Sequence, residues 1–296
     1  MDLRILRYFL VVAREENMTK AAKLLHITQP TLSRQMMQLE TTYGVKLFRR
    51  SNHSIILTPP GLLLRRRAQE MVSLADKTAT ELQTPDDEIA GEIAIGCGET
   101  KNVDAVAQLM KAFRALYPDV YFSVYTGIAD DVKERLEKGL LDMGLLIEPV
   151  DIGKYHFLPM PYRDEWVALM PADHPLANHP SLRPADLVGH DLIFALRPAV
   201  KEQLTRWFGP YIDEITVSTY MNLSAYNKHI LVQEGLGIAL GLAFASTYPQ
   251  LRQIPLEPPI TNGSFLVWKK QEFLTPAMIK FIEFSKTFTF SPEPEA

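Results

Sequence analysis

The sequence predicts an α/β protein that begins with a separate all-α head carrying a β-hairpin wing. Three observations support this fold class. Short helical segments joined by a tight turn open the chain, basic residues are concentrated in the first 67 positions, and apolar strands alternate with helices from about residue 89. Alternation of this kind is typical of a parallel sheet covered by helices on both faces.

Length and composition indicate two compact domains. The chain has 296 residues, and a single core rarely grows beyond about 250 to 300 residues. No apolar run approaches the ~18 residues of a membrane span, and charges interrupt the apolar N-terminus, which makes it a poor signal peptide. The lone Cys97 excludes an intramolecular disulfide and fits a reducing compartment. We therefore expect a cytoplasmic protein without a membrane segment.

Charge is distributed unevenly along the chain. Residues 1–67 contain twelve Arg and Lys against four Asp and Glu, a net charge of +8, so the rest of a chain of net charge −4 carries −12. A basic head on an acidic body predicts a polyanion as partner of the head alone. Charge by itself leaves DNA, RNA and an anionic membrane open.

The head contains three predicted helices. The first is indicated by apolar residues on one helical face: Leu3, Leu6, Phe9, Leu10 and Ala13. We predict Thr19 as the N-cap of a second helix over 20–25 and Thr28 as the N-cap of a third over 29–43, with Pro30 in its first turn. Two helices joined by so short a turn form the core of a helix-turn-helix.

The third helix separates an apolar from a polar face. The spacing predicts a buried stripe of Leu32, Met36, Leu39 and Tyr43. The opposite face carries Pro30, Ser33, Arg34, Met37 and Thr41. Such a small, basic face suits a major groove, where Arg34 can bind guanine O6 and N7 and Gln29 an adenine or a phosphate. The alternative is an ordinary solvated helix face.

A hairpin is predicted to follow. Gly44 ends the third helix, and residues 45–50 lead through a polar tip at 51–54 into a strand at 55–58. Arg49 and Arg50 stand at the base of this wing, where cations contact phosphates with little dependence on base sequence.

Residues 19–35, 39–40, 44–50 and 57–59 together resemble the signature of LysR-type transcriptional regulators in order, spacing and residue type. The resemblance covers about the first 60 residues, and it implies sequence-specific DNA binding by the third helix and the wing. The predicted DNA-binding residues are Thr28, Gln29, Pro30, Thr31, Ser33, Arg34, Met37, Arg50, Ser51, Asn52 and His53. One departure is Pro60, where the family usually has Ala.

The segment after the head is predicted to be a linker helix. Residues 61–82 contain no proline, and a coiled-coil spacing connects Leu64, Ala68, Met71, Ala75, Thr78 and Leu82. Packing on its own domain is the alternative, whereas the resemblance implies antiparallel pairing with a second copy. We predict a winged helix-turn-helix over 1–60, a linker helix and hinge over 61–88 and an effector domain over 89–296.

The effector domain is predicted as two sets of alternating strands and helices. The first set has strands at 92–96, 120–125 and 140–147 with helices at 103–117 and 130–138. The second has strands at 166–170, 192–196 and 215–220 with helices at 201–208 and 224–234, and residues 265–268 and 275–286 return to the first. The resemblance implies a two-lobed, periplasmic-binding-protein-like fold, with lobe 1 over about 89–160 and 265–296 and lobe 2 over about 161–264. The family's Leu-Pro is here Leu240-Gly241.

A ligand cleft is expected at the carboxyl ends of the strands. After the first strand, free backbone donors at Gly98 and Glu99 with Thr100 and Lys101 suit a carboxylate or phosphate. By resemblance the remaining effector-binding residues are Gly127, Ile147, Glu148, Arg197, Met221 and Asn222. If Glu99 and Glu148 both face the cleft, the effector carries a positive group, or these carboxylates pair with Lys101 and Arg197.

Other chemistries have weaker support. A dinucleotide site at 96–98 lacks a third glycine, a metal site at Asp173, His174 and His179 lacks a further ligand, and Cys97 fits a buried residue better than a redox sensor. No catalytic triad stands out. An α/β solute-binding or enzymatic domain fused to a DNA-binding head is the alternative function.

The main prediction is a bacterial LysR-type transcriptional regulator that is not an enzyme. We expect no metal or cofactor, a small-molecule effector, double-stranded promoter DNA as partner, a homodimer or homotetramer, and contact with RNA polymerase.

Overall fold

A computed structural model describes residues 2–50, 55–83, 88–222, 225–244, 248–270 and 274–292, except for the side chains of Arg50 and Gln83. The chain divides into two compact units, residues 1–85 and 86–296. No helix in the described ranges has the length and apolar character that a bilayer span requires.

The first unit begins with three helices: α1 (Leu3–Glu15), α2 (Met18–Leu24) and α3 (Gln29–Tyr43). Thr28 caps α3 as predicted, and Gly44 ends the helix. The φ of Gly44 is 65°, a left-handed conformation that glycine adopts more readily than residues with a side chain. The prediction for α2 is wrong by two residues. Its N-cap is Asn17, whose side chain accepts from the Lys20 N–H, because Asn caps a helix as well as Thr does and lies two residues earlier.

The three helices bury one apolar core. Its fully buried members include Leu6, Phe9, Val12, Ala21, Leu32 and Met36. The stripe predicted on α3 is correct for Leu32, Met36 and Leu39 and wrong for Tyr43, which is 43% exposed. Glu40 is buried in its place because its carboxylate binds backbone N–H groups just beyond the helix.

Strands β1 (Phe48–Arg50) and β2 (Ile55–Leu57) form the predicted antiparallel hairpin, with Phe48 opposite Leu57. Helix α4 (Pro59–Gln83) follows directly and starts two residues earlier than predicted. The Thr58 hydroxyl accepts from the Gly61 N–H at 3.1 Å, and Pro60 lies in the first turn, where a missing N–H costs nothing.

Helix α4 packs against its own unit rather than presenting a complete coiled-coil seam. Ala68 is fully buried in the head core, Leu64 and Met71 pack against that core, and Asp76 forms an ion pair with Arg7 of α1. The seam interpretation is therefore wrong for the first half of the helix, since α1 already covers those positions. Leu82 at the other end is 82% exposed.

The second unit contains two lobes. Lobe 1 consists of β3 (Gly91–Cys97), α5 (Asn102–Leu116), β4 (Val120–Thr126), α6 (Ala129–Glu137), β5 (Met143–Ile147), β6 (Tyr155–Pro159), β13 (Ser264–Lys269) and α9 (Pro276–Thr287). Its sheet has the order β4-β3-β5-β13-β6, with β3, β4 and β5 parallel and β13 antiparallel to both neighbours. The strand predicted from residue 140 begins at Met143, because Asp142 instead accepts from the Ala94 N–H.

Lobe 2 consists of β7 (Asp164–Pro171), β8 (Asp191–Ala195), α7 (Pro198–Phe208), β9 (Thr216–Met221), α8 (Ala225–Gln233), β10 (Ile238–Leu242), β11 (Leu251–Pro255) and β12 (Thr261–Asn262). Its sheet has the order β11-β7-β10-β8-β9, and β12 pairs with β7. Strands β8, β9 and β10 are parallel. Strands β6, β10, β11 and β12 were not predicted.

The chain passes between the lobes twice, between β6 and β7 and between β12 and β13. Each lobe has its own core. Phe113 and Phe281 meet edge to face in lobe 1, and Phe194 and Phe208 lie together in lobe 2. Because the parallel strands of both sheets end toward the same space, their loops form a cleft between the lobes.

Candidate DNA-binding surface and effector cleft

The N-terminus of α3 is held by its cap. The Thr28 hydroxyl accepts from the Thr31 N–H at 3.4 Å and lies 2.8 Å from the Thr31 hydroxyl. This bond satisfies one of the free N–H groups of the first turn. The first turn, with Pro30 in it, is therefore fixed before any ligand binds.

The predicted recognition face is on the surface of α3. Thr28, Pro30, Thr31, Arg34 and Met37 are exposed, whereas Gln29 and Ser33 are half-buried. Met37 is 55% exposed although it is apolar. Arg34 makes no hydrogen bond or ion pair with any residue that the structure describes. Its guanidinium is therefore free to bind a guanine edge or a phosphate.

Glu40 connects α3 to the start of the wing, a role that the sequence analysis missed. Its Oε1 accepts from the Leu47 N–H at 2.9 Å and the Phe48 N–H at 3.2 Å, and its Oε2 from Lys46 Nζ at 2.7 Å. Burial would raise the pKa of this carboxyl, but the hydrogen bonds from Lys46 and the two backbone N–H groups leave it lowered. Glu40 thereby fixes the hairpin relative to the recognition helix.

The wing is described only at its base. Arg49 is exposed on β1, and the backbone of Arg50 pairs with Ile55. The predicted contact residues Ser51, Asn52 and His53 lie outside the described residues.

The cleft of the second unit is lined by residues of both lobes. Eight of the ten predicted effector-binding residues line it: Gly98, Glu99, Gly127, Ile147, Glu148, Arg197, Met221 and Asn222. The first five come from lobe 1 and the last three from lobe 2. That they contact an effector stays a prediction.

The other two predicted residues, Thr100 and Lys101, do not line the cleft. The Thr100 hydroxyl, which is buried, donates to the carboxylate of Asp164, and the Lys101 N–H donates to the same carboxylate at 2.8 Å. Asp164 is fully buried at the start of β7, beside the first crossing between the lobes. Satisfying this buried carboxylate holds the Thr100 side chain at the lobe junction, and Lys101 contributes its backbone N–H.

The charged side chains that line the cleft are already partnered. Glu99 of lobe 1 accepts from the Ala225 N–H at the start of α8 in lobe 2. Arg197 of lobe 2 forms a 3.3 Å ion pair with Asp130 of lobe 1. Both contacts cross the cleft, and neither is the pairing with Lys101 and Arg197 that we considered for the two glutamates.

Glu148 is held at the second crossing. Its Oε2 accepts from the Gly263 N–H at 2.7 Å and lies 3.8 Å from Arg163. Its backbone carbonyl accepts from the side chain of Asn262.

Several lining residues were not predicted: Ile128, Ala129, Leu145, Trp166, Ala195, Val200, Leu242 and Asn262. Trp166 and Leu242 lie opposite each other on β7 and β10. In sequence they are ordinary apolar strand residues, and only the pairing of β7 with the unpredicted β10 brings them to the cleft. One sequence signal could have indicated them: residues 238–242 form an apolar run typical of a buried strand, and Leu242 stands at its carboxyl end.

Comparison with known protein families divides the chain in the same way, into an N-terminal and a C-terminal part. Residues 3–62 match the model described as bacterial regulatory helix-turn-helix protein, lysR family, and residues 86–289 match the LysR substrate binding domain. The chain belongs to the LysR family of transcriptional regulators. It thus combines a DNA-binding helix-turn-helix with a substrate-binding domain, as predicted.

Relatives of this LysR-family regulator match it along most of its length. The Hca operon transcriptional activator HcaR of Escherichia coli (strain K12) is 28% identical, covering 95% of this chain and 96% of its own. The HTH-type transcriptional regulator YybE of Bacillus subtilis (strain 168) is 33% identical over 68% of this chain and 70% of its own.

A solved structure of CbnR, a LysR family transcriptional regulator, shares the fold with a TM-score of 0.74 at 20% identity, covering 97% of this chain and 98% of that one. Full-length CbnR has also been solved with its target DNA, with a TM-score of 0.72. The alternative function, a solute-binding or enzymatic domain fused to a DNA-binding head, is not supported, because the relatives that match both parts are transcriptional regulators.

Proposed function

We propose that this LysR-family regulator recognises its operator mainly through Arg34 on the exposed face of α3. The observation that carries this proposal is an exposed guanidinium, without a partner among the described residues, on a helix that is packed against the head core. Leu32 and Met36 bury the other side of α3 in the head core. A bidentate contact from such an arginine to guanine is worth about 1–3 kcal/mol of discrimination between bases.

The experiment compares operator binding by wild type, Arg34→Ala and Arg34→Lys. The operator is a fragment that the wild type selects from bacterial genomic DNA. We expect Arg34→Ala to lose roughly 5- to 150-fold in operator affinity, with a much smaller loss on unrelated DNA, and Arg34→Lys not to restore discrimination. Arg206→Ala is the matched control, because Arg206 lies on helix α7 of the other unit.

Two results oppose the proposal. An equal loss on operator and unrelated DNA assigns Arg34 to phosphate contact alone. Unchanged operator affinity in a folded Arg34→Ala variant assigns it no part in recognition.

We also propose that a small-molecule effector binds between the lobes and changes promoter binding. The support is that Glu99–Ala225 and Arg197–Asp130 both bridge the cleft. A ligand held between the bridged lobes contacts both of them, so it binds one lobe orientation better than another and shifts the population toward it.

A second copy of this chain is the partner we propose for an apolar groove of the first unit. The groove is lined by Tyr43, Val45, Leu47, Pro59, Pro60, Leu63, Leu64, Arg67, Glu70 and Met71. On α4, Leu63 is 56% exposed, and Leu74, three turns further on the same face, is 42% exposed. An apolar helix face of this length is typical of a homo-oligomer interface, so we propose a homodimer or homotetramer on two half-sites.

The remaining partners follow from the regulator function. We propose contact with RNA polymerase, in keeping with the activator name of the relative HcaR. We propose that the protein acts on promoter DNA in the bacterial cytoplasm. We propose that the cleft binds its effector without catalysing a reaction and needs no metal or cofactor.

A further inference from the structure

One buried hydrogen-bond donor on a side chain that lines the effector cleft has no acceptor among the residues that the structure describes. Among the described residues, the buried side-chain atoms without a hydrogen-bond partner are Trp166 Nε1 and His229 Nδ1. Trp166 lines the cleft, whereas His229 packs against the Tyr248 ring at 4.5 Å and does not line it. An indole N–H can only donate, so Trp166 requires an acceptor that the described protein does not supply.

The surroundings of Trp166 are apolar. It is 2% exposed, its backbone N–H donates to the Ile260 carbonyl at 3.0 Å, and Leu242 faces it from β10. Ala195, Val200 and Met221 line the same cleft. The ring is therefore held in place by packing and backbone pairing, while its buried N–H has no partner in the part of the chain that the structure describes.

Every charged side chain that lines the cleft is compensated. Arg197 pairs with Asp130 at 3.3 Å, and Glu148 with Arg163 at 3.8 Å. Glu99 is held by the Ala225 N–H and lies in the field of Lys228, a buried lysine whose ammonium donates to the Leu242 carbonyl at 3.1 Å. A charged ligand that took one of these groups as its counter-ion would leave the former partner of that group uncompensated.

Building on the proposed effector role, we propose that the effector is a small uncharged molecule with an apolar body and a carbonyl oxygen that accepts from Trp166 Nε1. The carbonyl satisfies the free donor, the apolar body contacts the neighbouring aliphatic wall, and no ion pair is broken. A single-ring ketone, ester or lactone has this chemistry. The carboxylate or phosphate expected from the sequence is thus replaced by a neutral acceptor.

The experiment uses the full chain and four probes of nearly equal shape: acetophenone, benzoate, benzylamine and ethylbenzene. We expect acetophenone to raise the thermal midpoint of the wild type more than the other three, because it alone combines a carbonyl with zero charge. Trp166→Phe should weaken acetophenone binding at least 10-fold in calorimetry. Trp207→Phe is the matched control, because the Trp207 Nε1 already donates to the Pro258 carbonyl at 2.7 Å.

A second measurement does not depend on the Trp166 variant. Acetophenone should move the indole ¹H–¹⁵N signal of Trp166 downfield in the labelled wild type, and ethylbenzene should not. Signals of the three tryptophans are assigned with Trp207→Phe and Trp268→Phe.

Tighter binding of benzoate or benzylamine than of acetophenone overturns the proposal, as does binding of none of the four probes or an indole signal of Trp166 that does not move. Operator binding of the wild type is measured with and without acetophenone. Trp166-dependent binding that leaves operator affinity unchanged supports the ligand chemistry but contradicts the effector role, so the two failures are separable.

Discussion

The ammonium group of Lys228 occupies the space that a side chain at Gly241 would need: a Cβ atom at that position would lie 2.6 Å from Lys228 Nζ. Gly241 is the position at which this chain departs from the family's Leu-Pro. The two residues lie on α8 and β10, and the Lys228 ammonium also lies 5.1 Å from the centre of the Phe244 ring. The absence of a side chain at position 241 therefore allows a lysine to be buried next to the cleft wall.

Gly241→Ala should destabilise the protein by about 1–3 kcal/mol, because the added methyl group forces the buried ammonium from its place. In a Lys228→Met background the same change should cost less, since methionine is flexible and carries no charge. Urea unfolding of the four variants measures this coupling. An equal cost in both backgrounds would show that Lys228 is not what excludes a side chain at position 241.

The stability of the protein should rise with pH in the alkaline range because of Lys228. Burial lowers the pKa of this lysine from 10.5 to about 8, an effect that Glu99 partly opposes. Between about pH 8 and 10.5 the unfolded chain thus binds more protons than the folded one, and the free energy of unfolding increases with pH. The slope is at most about 1.4 kcal/mol per pH unit.

Lys228→Met supplies the reference for that measurement. The stability difference between wild type and variant should move in favour of the wild type as the pH is raised from 8 toward 10.5. A difference independent of pH would contradict a lowered pKa at Lys228.

Glu40→Ala should cost about 2–4 kcal/mol, because it leaves the Leu47 and Phe48 N–H groups without their acceptor. Lys46→Met removes only the ion pair between the exposed Lys46 ammonium and Glu40, and it should cost less than about 1 kcal/mol. Thermal unfolding compares the two variants. Similar losses would mean that Glu40 acts through its ion pair rather than by holding the wing.

Thr100→Val should cost about 1–3 kcal/mol, because it removes a buried hydrogen bond to the Asp164 carboxylate. Thr216→Val, the same change at an exposed position of β9, serves as control and should be nearly neutral. Chemical denaturation distinguishes them. A neutral Thr100→Val variant would contradict the structural role assigned to this hydroxyl and reopen a role in ligand binding.

Leu63→Asp should shift the protein toward monomers, because it places a charge in the apolar groove proposed for a second copy. Ser73→Asp on the same helix is exposed and does not line that groove, so its mass should match the wild type. Light scattering after gel filtration measures both. An unchanged oligomer in Leu63→Asp would place the interface elsewhere.

Local sequence patterns were sufficient to predict those parts of the structure that depend on residues close together in the chain. The helix-turn-helix, the Thr28 cap, the Gly44 stop and the hairpin all follow from cap chemistry and apolar spacing, which act over a few residues. The family resemblance then located six of the sixteen residues that line the cleft. The errors in the head arose because Tyr43 and the first half of α4 were assigned from helical spacing alone. Spacing does not show which neighbours from other elements cover a position.

Tertiary structure decided what depends on residues distant in the chain. Asp164 binds the Thr100 hydroxyl outside the cleft, and strand β10 pairs with β7 to place Leu242 opposite Trp166 in the cleft wall. The partners of Glu99 and Arg197 likewise lie in the opposite lobe. Burial, charge compensation and an unpaired indole N–H are properties of three-dimensional neighbourhoods, because they depend on which groups exclude water from one another. The sequence determined that this is a LysR-family regulator with a substrate-binding domain, and only the fold decided which side chains its cleft presents.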